Sequence, residues 1–432
     1  MNLYSSDRGM RVPLFKVLVI FAVTFFVYND FNIRMIIGYM ILLASTIGYL
    51  VFSNTIICID RVKIAYLLLS VVISALVIIG NHDESIMTFV LAIDLCMLAT
   101  FVGDIQPCEF RSTIKLLMMV SVLMSLYVIL VKLNPAIYTS TISKIISEKS
   151  NITNTKQLRD GYGITLGGNV VFIDYVLTLS GLIIANTIMV YKGALKHKWI
   201  YWGCLSICFI GMLFENRKSE LLAFLIGLLF CFRANVRISS AKERVKLKKT
   251  VLLLIIFAST CLLYFASKGY LNRYLVFFER LLNNARNKDT KIDVTSGRTL
   301  IWALAFNLFL ENPILGIGWG HFEDYVSAID SNLSNVHNNY LQLLCETGIV
   351  GFLLVIIPMI LLLINTIKYR KKLTDKNLDR KQLSLVANTT SYGLQVSFLV
   401  LSFLDPCWYK MSFWPFFAIA IMMANATSLD EK

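Results

Sequence analysis

The chain has 432 residues, of which 57% are hydrophobic and 16% are charged. A soluble globular domain is about 45–50% apolar and about 25% charged, so this composition excludes a soluble globular protein. The net charge of +14 arises from 41 Lys and Arg residues against 27 Asp and Glu residues, but the basic residues cluster between apolar stretches, as topology signals do, which argues against a nucleic-acid binder.

About twelve apolar stretches of roughly 16–25 residues follow one another along the chain, and each is long enough to cross a bilayer as a helix. They lie at 12–28, 33–52, 62–80, 86–102, 113–133, 169–191, 198–214, 219–232, 250–266, 341–367, 385–404 and 411–426. No small-residue cleavage pattern follows the first stretch, so we expect it to be a retained span. We therefore predict an all-α, polytopic membrane protein with a single membrane domain over residues 1–432.

The distribution of basic residues predicts the orientation of these spans. If the N-terminus is cytoplasmic, the inner loops hold the basic clusters at 61–63, 111–115, 192–198, 233–249 and 368–381. This arrangement satisfies the positive-inside rule. We therefore predict a protein of the cytoplasmic membrane with both termini in the cytoplasm.

Two long segments, 134–168 and 267–340, then face the outside as extracytoplasmic loops. The second is electrically balanced and contains short amphipathic material such as 299–310. Long ordered loops usually carry function, so we expect the chemistry of the protein on this side of the membrane.

A basic pair, Arg217 and Lys218, begins a span at its predicted outer end, where the positive-inside rule disfavours positive charge. Such a pair needs a partner, which is either the nearby Glu215 and Glu220 or an anionic ligand.

Two carboxylates, Asp94 and Asp174, lie inside predicted spans. Ionisable groups within a membrane are functional candidates by default. For Asp174, near the outer surface, hydrogen bonding between helices is the preferred interpretation.

Arg298 opens a helix-like run in the second outer loop, after Ser296 and Gly297 and before Trp302. A guanidinium at the first turn of a helix suits bidentate binding of a phosphate. The alternative is an ordinary surface arginine or a contact with a lipid headgroup.

A glycine-rich segment follows at 311–322, where Pro313 ends the preceding helix and Gly316, Gly318 and Gly320 permit tight turns. A dinucleotide-binding motif requires a strand before it and a helix after it within a βαβ unit, whereas this segment lies between predicted amphipathic helices at the membrane surface. Close-packed backbone is therefore the first interpretation, and binding of phosphate by exposed amides is the alternative.

Two of the four histidines, His321 and His337, lie on this outer segment. A histidine that titrates near neutral pH is a natural proton acceptor for a sugar hydroxyl. The alternative is a histidine at the membrane interface without a chemical role.

These motifs together resemble the signature of the O-antigen ligase and polymerase superfamily. The matching residues are Ser296-Gly297-Arg298 with Trp302, Asn312 to Gly318, His337-Asn338, Tyr340-Leu341-Gln342 and Glu346 to Gly351. The turn at Asn216-Arg217-Lys218 is similar to the upstream arginine site of that family. The resemblance implies an enzyme that moves a glycan from an undecaprenyl diphosphate carrier to an acceptor on the outer face of the membrane.

The resemblance also implies roles for individual residues. Arg217 and Arg298 would bind the diphosphate, and His337 would activate the acceptor hydroxyl. Further candidate substrate-binding residues are Lys218, Arg159, Trp302, Asn338 and His321. We expect no cofactor and no metal ion, because arginines can stabilise the charge of the diphosphate and the outer segments offer no convincing carboxylate cluster for Mg²⁺.

Two reactions are known in the superfamily: extension of a repeat-unit chain by a polymerase, and transfer of finished glycan by a ligase to a lipid, protein or wall acceptor. We favour a polymerase for O-antigen, capsule or exopolysaccharide, because seven basic and seven acidic residues in 267–340 suit two glycan-lipid sites. A transporter or flippase of lipid-linked sugar is the alternative of another class. The predicted partners are lipid-linked donor and acceptor oligosaccharides, membrane lipid, and flippase and chain-length regulator proteins.

Overall fold

The described part of this computed structural model consists of helices and irregular segments, without a β-strand. It comprises residues 13–24, 32–52, 59–80, 84–103, 105–144, 146, 148–164, 170–190, 198–239, 241–272, 274–277, 279, 298–327, 335–374 and 382–425.

Sixteen α-helices are described within these ranges. The first eight are α1 (Leu14–Thr24), α2 (Asn32–Phe52), α3 (Arg61–Gly80), α4 (Glu84–Val102), α5 (Pro107–Leu133), α6 (Ala136–Ser140), α7 (Glu148–Arg159) and α8 (Val170–Val190). The others are α9 (Lys198–Glu215), α10 (Lys218–Ile238), α11 (Ala241–Ser267), α12 (Arg298–Glu311), α13 (Phe322–Ser327), α14 (Asn339–Thr374), α15 (Gln382–Leu401) and α16 (Phe413–Ala424). Each of the twelve predicted apolar stretches overlaps one of these helices.

Five of the helices in the described ranges are long and apolar enough to cross a membrane, namely α3, α5, α10, α11 and α14. Their outer faces expose large aliphatic side chains, such as Val71, Leu123 and Leu253, which are 56%, 56% and 65% exposed. Apolar surface on this scale is unfavourable in water and suits lipid. The all-α membrane class is therefore confirmed, whereas the twelve-span topology stays a prediction.

The most buried helix is α16, in which all twelve residues are buried. It packs against α1, α3, α4, α8, α14 and α15. Twelve helical residues measure about 18 Å, which is less than the ~30 Å apolar thickness of a bilayer. This helix therefore forms the centre of the bundle, and its short length does not by itself make a span.

Polar groups inside the bundle join helices and cap them. Asp94 accepts hydrogen bonds from the hydroxyls of Ser70 and Ser74 at 3.2 and 3.0 Å. Asp60 accepts hydrogen bonds from the backbone amides of Val62 and Lys63, which caps the N-terminus of α3. For Asp94 the structure therefore gives contacts between two helices.

The segment predicted as amphipathic at 299–310 forms α12, but its exposed side is largely apolar and carries few polar residues, among them Thr299 and Asn307. Leu300, Phe306 and Leu310 are 78%, 48% and 58% exposed, while the opposite side buries Ile301 and Ala305. The amphipathic prediction was wrong because large apolar residues lie on the exposed face as well as on the buried face. An apolar exposed face is expected of a helix that lies against lipid.

Candidate functional site

Arg217 lies in the turn that joins α9 to α10. The chain reverses at Asn216, whose φ is 59°, and the side-chain amide of Asn216 donates to the carbonyl of Gly161 at 2.7 Å. Gly163 packs so closely on this turn that an added Cβ would lie 2.8 Å from the carbonyl oxygen of Phe214. The turn is therefore held by the segment that follows α7.

The Arg217 guanidinium binds two carboxylates. It lies 3.1 Å from Asp174 and 2.6 Å from Glu220, and its side chain is 15% exposed. Burial alone would lower the pKa of Arg217, but Glu220 and Asp174 raise it above its ordinary value. Glu220, one of the two partners predicted for Arg217, therefore forms an ion pair with it. The second ion pair is formed by Asp174 and not by Glu215.

His337 lies in the short segment before α14 and adopts a left-handed backbone conformation, with φ at 54°. Three contacts hold this segment. The amide of His337 donates to the side chain of Asn335 at 3.2 Å, and the indole of Trp302 donates to the carbonyl of Val336 at 3.0 Å. The side chain of Asn338 accepts hydrogen bonds from the amides at the start of α14 and so caps that helix.

The imidazole of His337 is half-buried, and its Nδ1 atom has no hydrogen-bond partner among the described residues. Burial lowers the pKa of His337 below its ordinary value, and the positive charge of Arg298 lowers it further, whereas Asp405 opposes both. The lowered pKa favours the neutral ring, which can accept a proton.

Arg298 is the first residue of α12, as the sequence predicted. One of its Nη atoms donates to the carbonyl of Leu404 at 3.2 Å. This contact brings the start of α12 to the segment that joins α15 to α16. His337 interacts electrostatically with Arg298 and Arg217. In addition, His337 and Arg217 both interact with one acidic group in that segment.

That group is Asp405, which the sequence analysis missed. Asp405 forms an ion pair with Lys410. Burial alone would raise the pKa of Asp405, but Lys410 and Arg217 lower it below its ordinary value. The sequence signal was a charged pair in a short outer segment between two apolar helices. The candidate site is therefore Arg217, Arg298, His337, Asp405 and Lys410.

Of three other predicted site residues, His321 and Lys218 have contacts with neighbouring side chains or backbone, and Arg159 is exposed. His321 lies 2.7 Å from the carbonyl of Gly80 and 2.9 Å from Asp324, and the hydrogen bond to Asp324 raises its pKa. Lys218 lies 4.0 Å above the ring of Phe277. Arg159 is exposed at the C-terminus of α7, two residues before Gly161. Their contact with substrate stays a prediction.

The glycine-rich segment packs against a break in α14. Gly348 interrupts that helix with φ at 61°, and an added Cβ would lie 2.2 Å from the carbonyl oxygen of Ile314. The amides of Ile317 and Gly318 donate to carbonyls of α14 at 3.1 and 2.8 Å. This segment has the close-packed arrangement that was the first interpretation of its glycines.

Glu346 completes the junction from the side of α14. Its carboxylate is buried and accepts hydrogen bonds from the amide of Gly320 at 2.9 Å and from the side chain of Gln342 at 3.1 Å. The same glutamine side chain accepts a hydrogen bond from the amide of Val336, next to His337. The glycine-rich segment and the histidine segment are thus fixed to the same turn of α14.

The comparison with known families concerns the part of the chain that carries most of this site. Residues 203–356 match the family model described as O-Antigen ligase. The match confirms the resemblance to the O-antigen ligase and polymerase superfamily, whose members transfer glycans. No curated protein matches the chain. The O-antigen ligase match includes Arg217, Arg298 and His337, whereas Asp405 lies outside it.

Proposed function

We propose that this protein is a membrane-bound glycosyltransferase that moves a glycan from undecaprenyl diphosphate to a hydroxyl group on the outer face of the cytoplasmic membrane. The observation that carries the proposal is the position of His337. A half-buried imidazole, whose lowered pKa favours the uncharged form, lies in the electrostatic field of Arg217 and Arg298, which the family resemblance implies as diphosphate ligands. The family match supports the same class of reaction.

The chemistry follows from the properties of these side chains. The acceptor oxygen forms a bond to the anomeric carbon, the bond from that carbon to the diphosphate oxygen breaks, and His337 takes the hydroxyl proton. Negative charge grows on the departing diphosphate. Arg298 and Arg217 stabilise that charge more strongly in the transition state than in the ground state, because they are fixed before the reaction begins.

Asp405 acts on His337 through its charge. A carboxylate near the imidazole favours the imidazolium that forms once the acceptor proton has been taken. Lys410, paired with Asp405, keeps that carboxylate ionised. Asp405 is therefore a positioning residue in this proposal, and His337 is the base.

We assign the acceptor as a second lipid-linked repeat unit, which makes the protein a polymerase. In such a reaction both substrates carry a diphosphate. The support is the charge balance of the predicted outer loop, since seven basic and seven acidic residues in 267–340 suit two glycan-lipid sites. Flippase and chain-length regulator proteins are the partners proposed for this reaction.

The test is an assay with the purified protein and an undecaprenyl-diphosphate-linked repeat unit, with products separated by length. We expect wild-type protein to produce a ladder of longer lipid-linked glycans. His337→Ala should lower the rate by about 10²–10⁴-fold, the usual contribution of a general base. The matched control is His197→Ala, a histidine in a predicted cytoplasmic loop outside the described residues, which should leave the ladder unchanged.

The other outcomes separate the competing functions. Transfer of a single glycan to an added acceptor, without a ladder, would replace the polymerase by a ligase. Absence of any transfer would favour a transporter of lipid-linked sugar. A ladder that persists in His337→Ala would remove His337 from the chemistry.

A further inference from the structure

A cavity of about 370 Å³ lies between α10, α14 and α15. Small-molecule sites occupy roughly 300–1,000 Å³. Among the described residues that line it, four are basic and none is acidic. We call it the basic pocket and define it by Phe230, Arg233, Ala234, Arg237, Ile367, Arg370, Lys371 and Tyr392.

Arg370 forms the buried wall of the basic pocket, with 7% of its surface exposed. One Nη atom donates to the side chain of Asn235 at 3.2 Å, and the other donates to the hydroxyl of Thr389. Both partners are neutral. They satisfy hydrogen bonds of the guanidinium but do not balance its charge, and a buried charge without a counter-charge is costly.

The rim of the basic pocket adds charge of the same sign. Arg233 and Arg237 are exposed on successive turns of α10, and neither they nor Arg370 takes part in the ion pairs formed between described residues. The ring of Tyr392 lies beside them and within electrostatic range of all three arginines. Three guanidinium groups therefore surround a cavity to which the described lining residues contribute no negative group.

The basic pocket lies far from the candidate site. Helix α10 begins directly after Arg217 and has 21 residues, which corresponds to a length of about 30 Å. Arg233 and Arg237 lie on its last turns. The pocket is therefore at the opposite end of the helix, on the side that the positive-inside rule assigns to the cytoplasm.

We propose that the basic pocket binds a phosphate group at the cytoplasmic surface of the membrane. Arginine forks suit the geometry of phosphate oxygens and remain charged at every physiological pH. Pockets of this kind between helices hold the headgroups of anionic lipids. The phosphate belongs either to a phospholipid headgroup or to a soluble phosphate, and the two sources are separated by the probes below.

The test measures binding of phosphatidylglycerol to the full-length, delipidated protein in an uncharged detergent, by native mass spectrometry. Phosphatidylcholine serves as the lipid without net charge, and inorganic phosphate serves as the soluble competitor. Loss of two cations near an anionic headgroup weakens binding by about 30-fold. We expect this loss for the double variant Arg233→Gln, Arg237→Gln.

The matched control is the double variant Lys248→Gln, Lys249→Gln, which removes two exposed charges of α11 outside the basic pocket. It should bind phosphatidylglycerol as wild-type protein does. Competition by inorganic phosphate would assign a soluble phosphate as ligand, and its failure to compete would assign the lipid. Equal losses in both double variants, or no binding of either probe to wild-type protein, would overturn the proposal. The melting temperatures of the variants should match that of wild-type protein, because the replaced side chains are exposed.

Discussion

The guanidinium groups of Arg298 and Arg217 have different contacts in the structure. Arg217 is already held by two carboxylates, so its charge is partly balanced before any substrate arrives. The described contact of Arg298 is a neutral carbonyl. Arg298 therefore has more of its charge available to an incoming phosphate, and we expect its replacement to affect transfer more than binding of the carrier.

Arg298→Lys should reduce the rate of glycan transfer by about 100-fold, because lysine keeps the charge but loses the planar fork that binds two phosphate oxygens at once. The rate is measured with the lipid-linked repeat unit in detergent. Arg111→Lys, a replacement of the same kind at an exposed position of α5, is the control and should retain full activity. Near-normal transfer by Arg298→Lys would contradict the proposed phosphate clamp.

The pH dependence of transfer should report the protonation of His337. The imidazole must be neutral to take a proton, and its pKa lies below the ordinary value. Activity should therefore persist at neutral pH and fall only as the pH drops below about 6.5. A rate profile from pH 4.5 to 8 measures the midpoint of this acid limb.

Asp405→Asn should move that midpoint further toward acid, because Asp405 raises the pKa of His337 and its removal leaves only the groups that lower it. The shift is read from the same rate profile. A merely structural role of Asp405 would lower the rate without moving the midpoint, and that result would exclude the proposed positioning role.

At the residue scale, the sequence predicted site residues that belong to local motifs, but it did not predict contacts between residues that are far apart in the chain. Arg298 and His337 were predicted because they belong to a local sequence pattern. Asp174 was predicted only as a polar group between helices, since its ion pair with Arg217 joins residues 43 positions apart. Asp405 was missed because its importance comes from the packing of α12 and α14 against one segment, and no periodicity records that packing.

At the scale of elements, the apolar stretches predicted the existence of the helices better than their ends. Helix α11 begins at Ala241, nine residues before the predicted start, and includes a basic run assigned to a loop. Lysine and arginine favour helices, so hydropathy marks where the bilayer begins and not where the helix does. The short α16 was likewise predicted as a span because its composition is apolar, although it is buried by protein.

The break in α14 at Gly348 should be sensitive to substitution, because the backbone there has a positive φ and packs closely on the glycine-rich segment. Gly348→Ala should destabilise the protein by at least about 2 kcal/mol, because alanine disfavours a positive φ and its Cβ would overlap the Ile314 carbonyl. The melting temperature in detergent measures the effect. The control is Gly203→Ala in α9, where a Cβ would meet nothing within 4 Å. An unchanged melting temperature for Gly348→Ala would show that the glycine-rich segment does not pack on this break.

At the scale of the whole molecule, the orientation in the membrane can be tested along α11. A cysteine at Lys268 should react with a membrane-impermeant maleimide in intact cells, whereas a cysteine at Lys248 should not, because the predicted topology puts the two ends of this helix on opposite sides. Both positions are exposed. The chain without the introduced cysteine, with Cys108 replaced by Ser, gives the background. Labelling at Lys248 alone would invert the topology.

We expect the largely apolar exposed face of α12 to determine how the proposed substrate reaches Arg298. If lipid covers this face, the polyprenyl carrier of the proposed reaction would arrive sideways, from within the bilayer. The encounter then takes place in two dimensions. In a detergent assay the rate should follow the mole fraction of carrier in the micelle, so diluting the carrier with more detergent slows the reaction even when its concentration in the tube is constant.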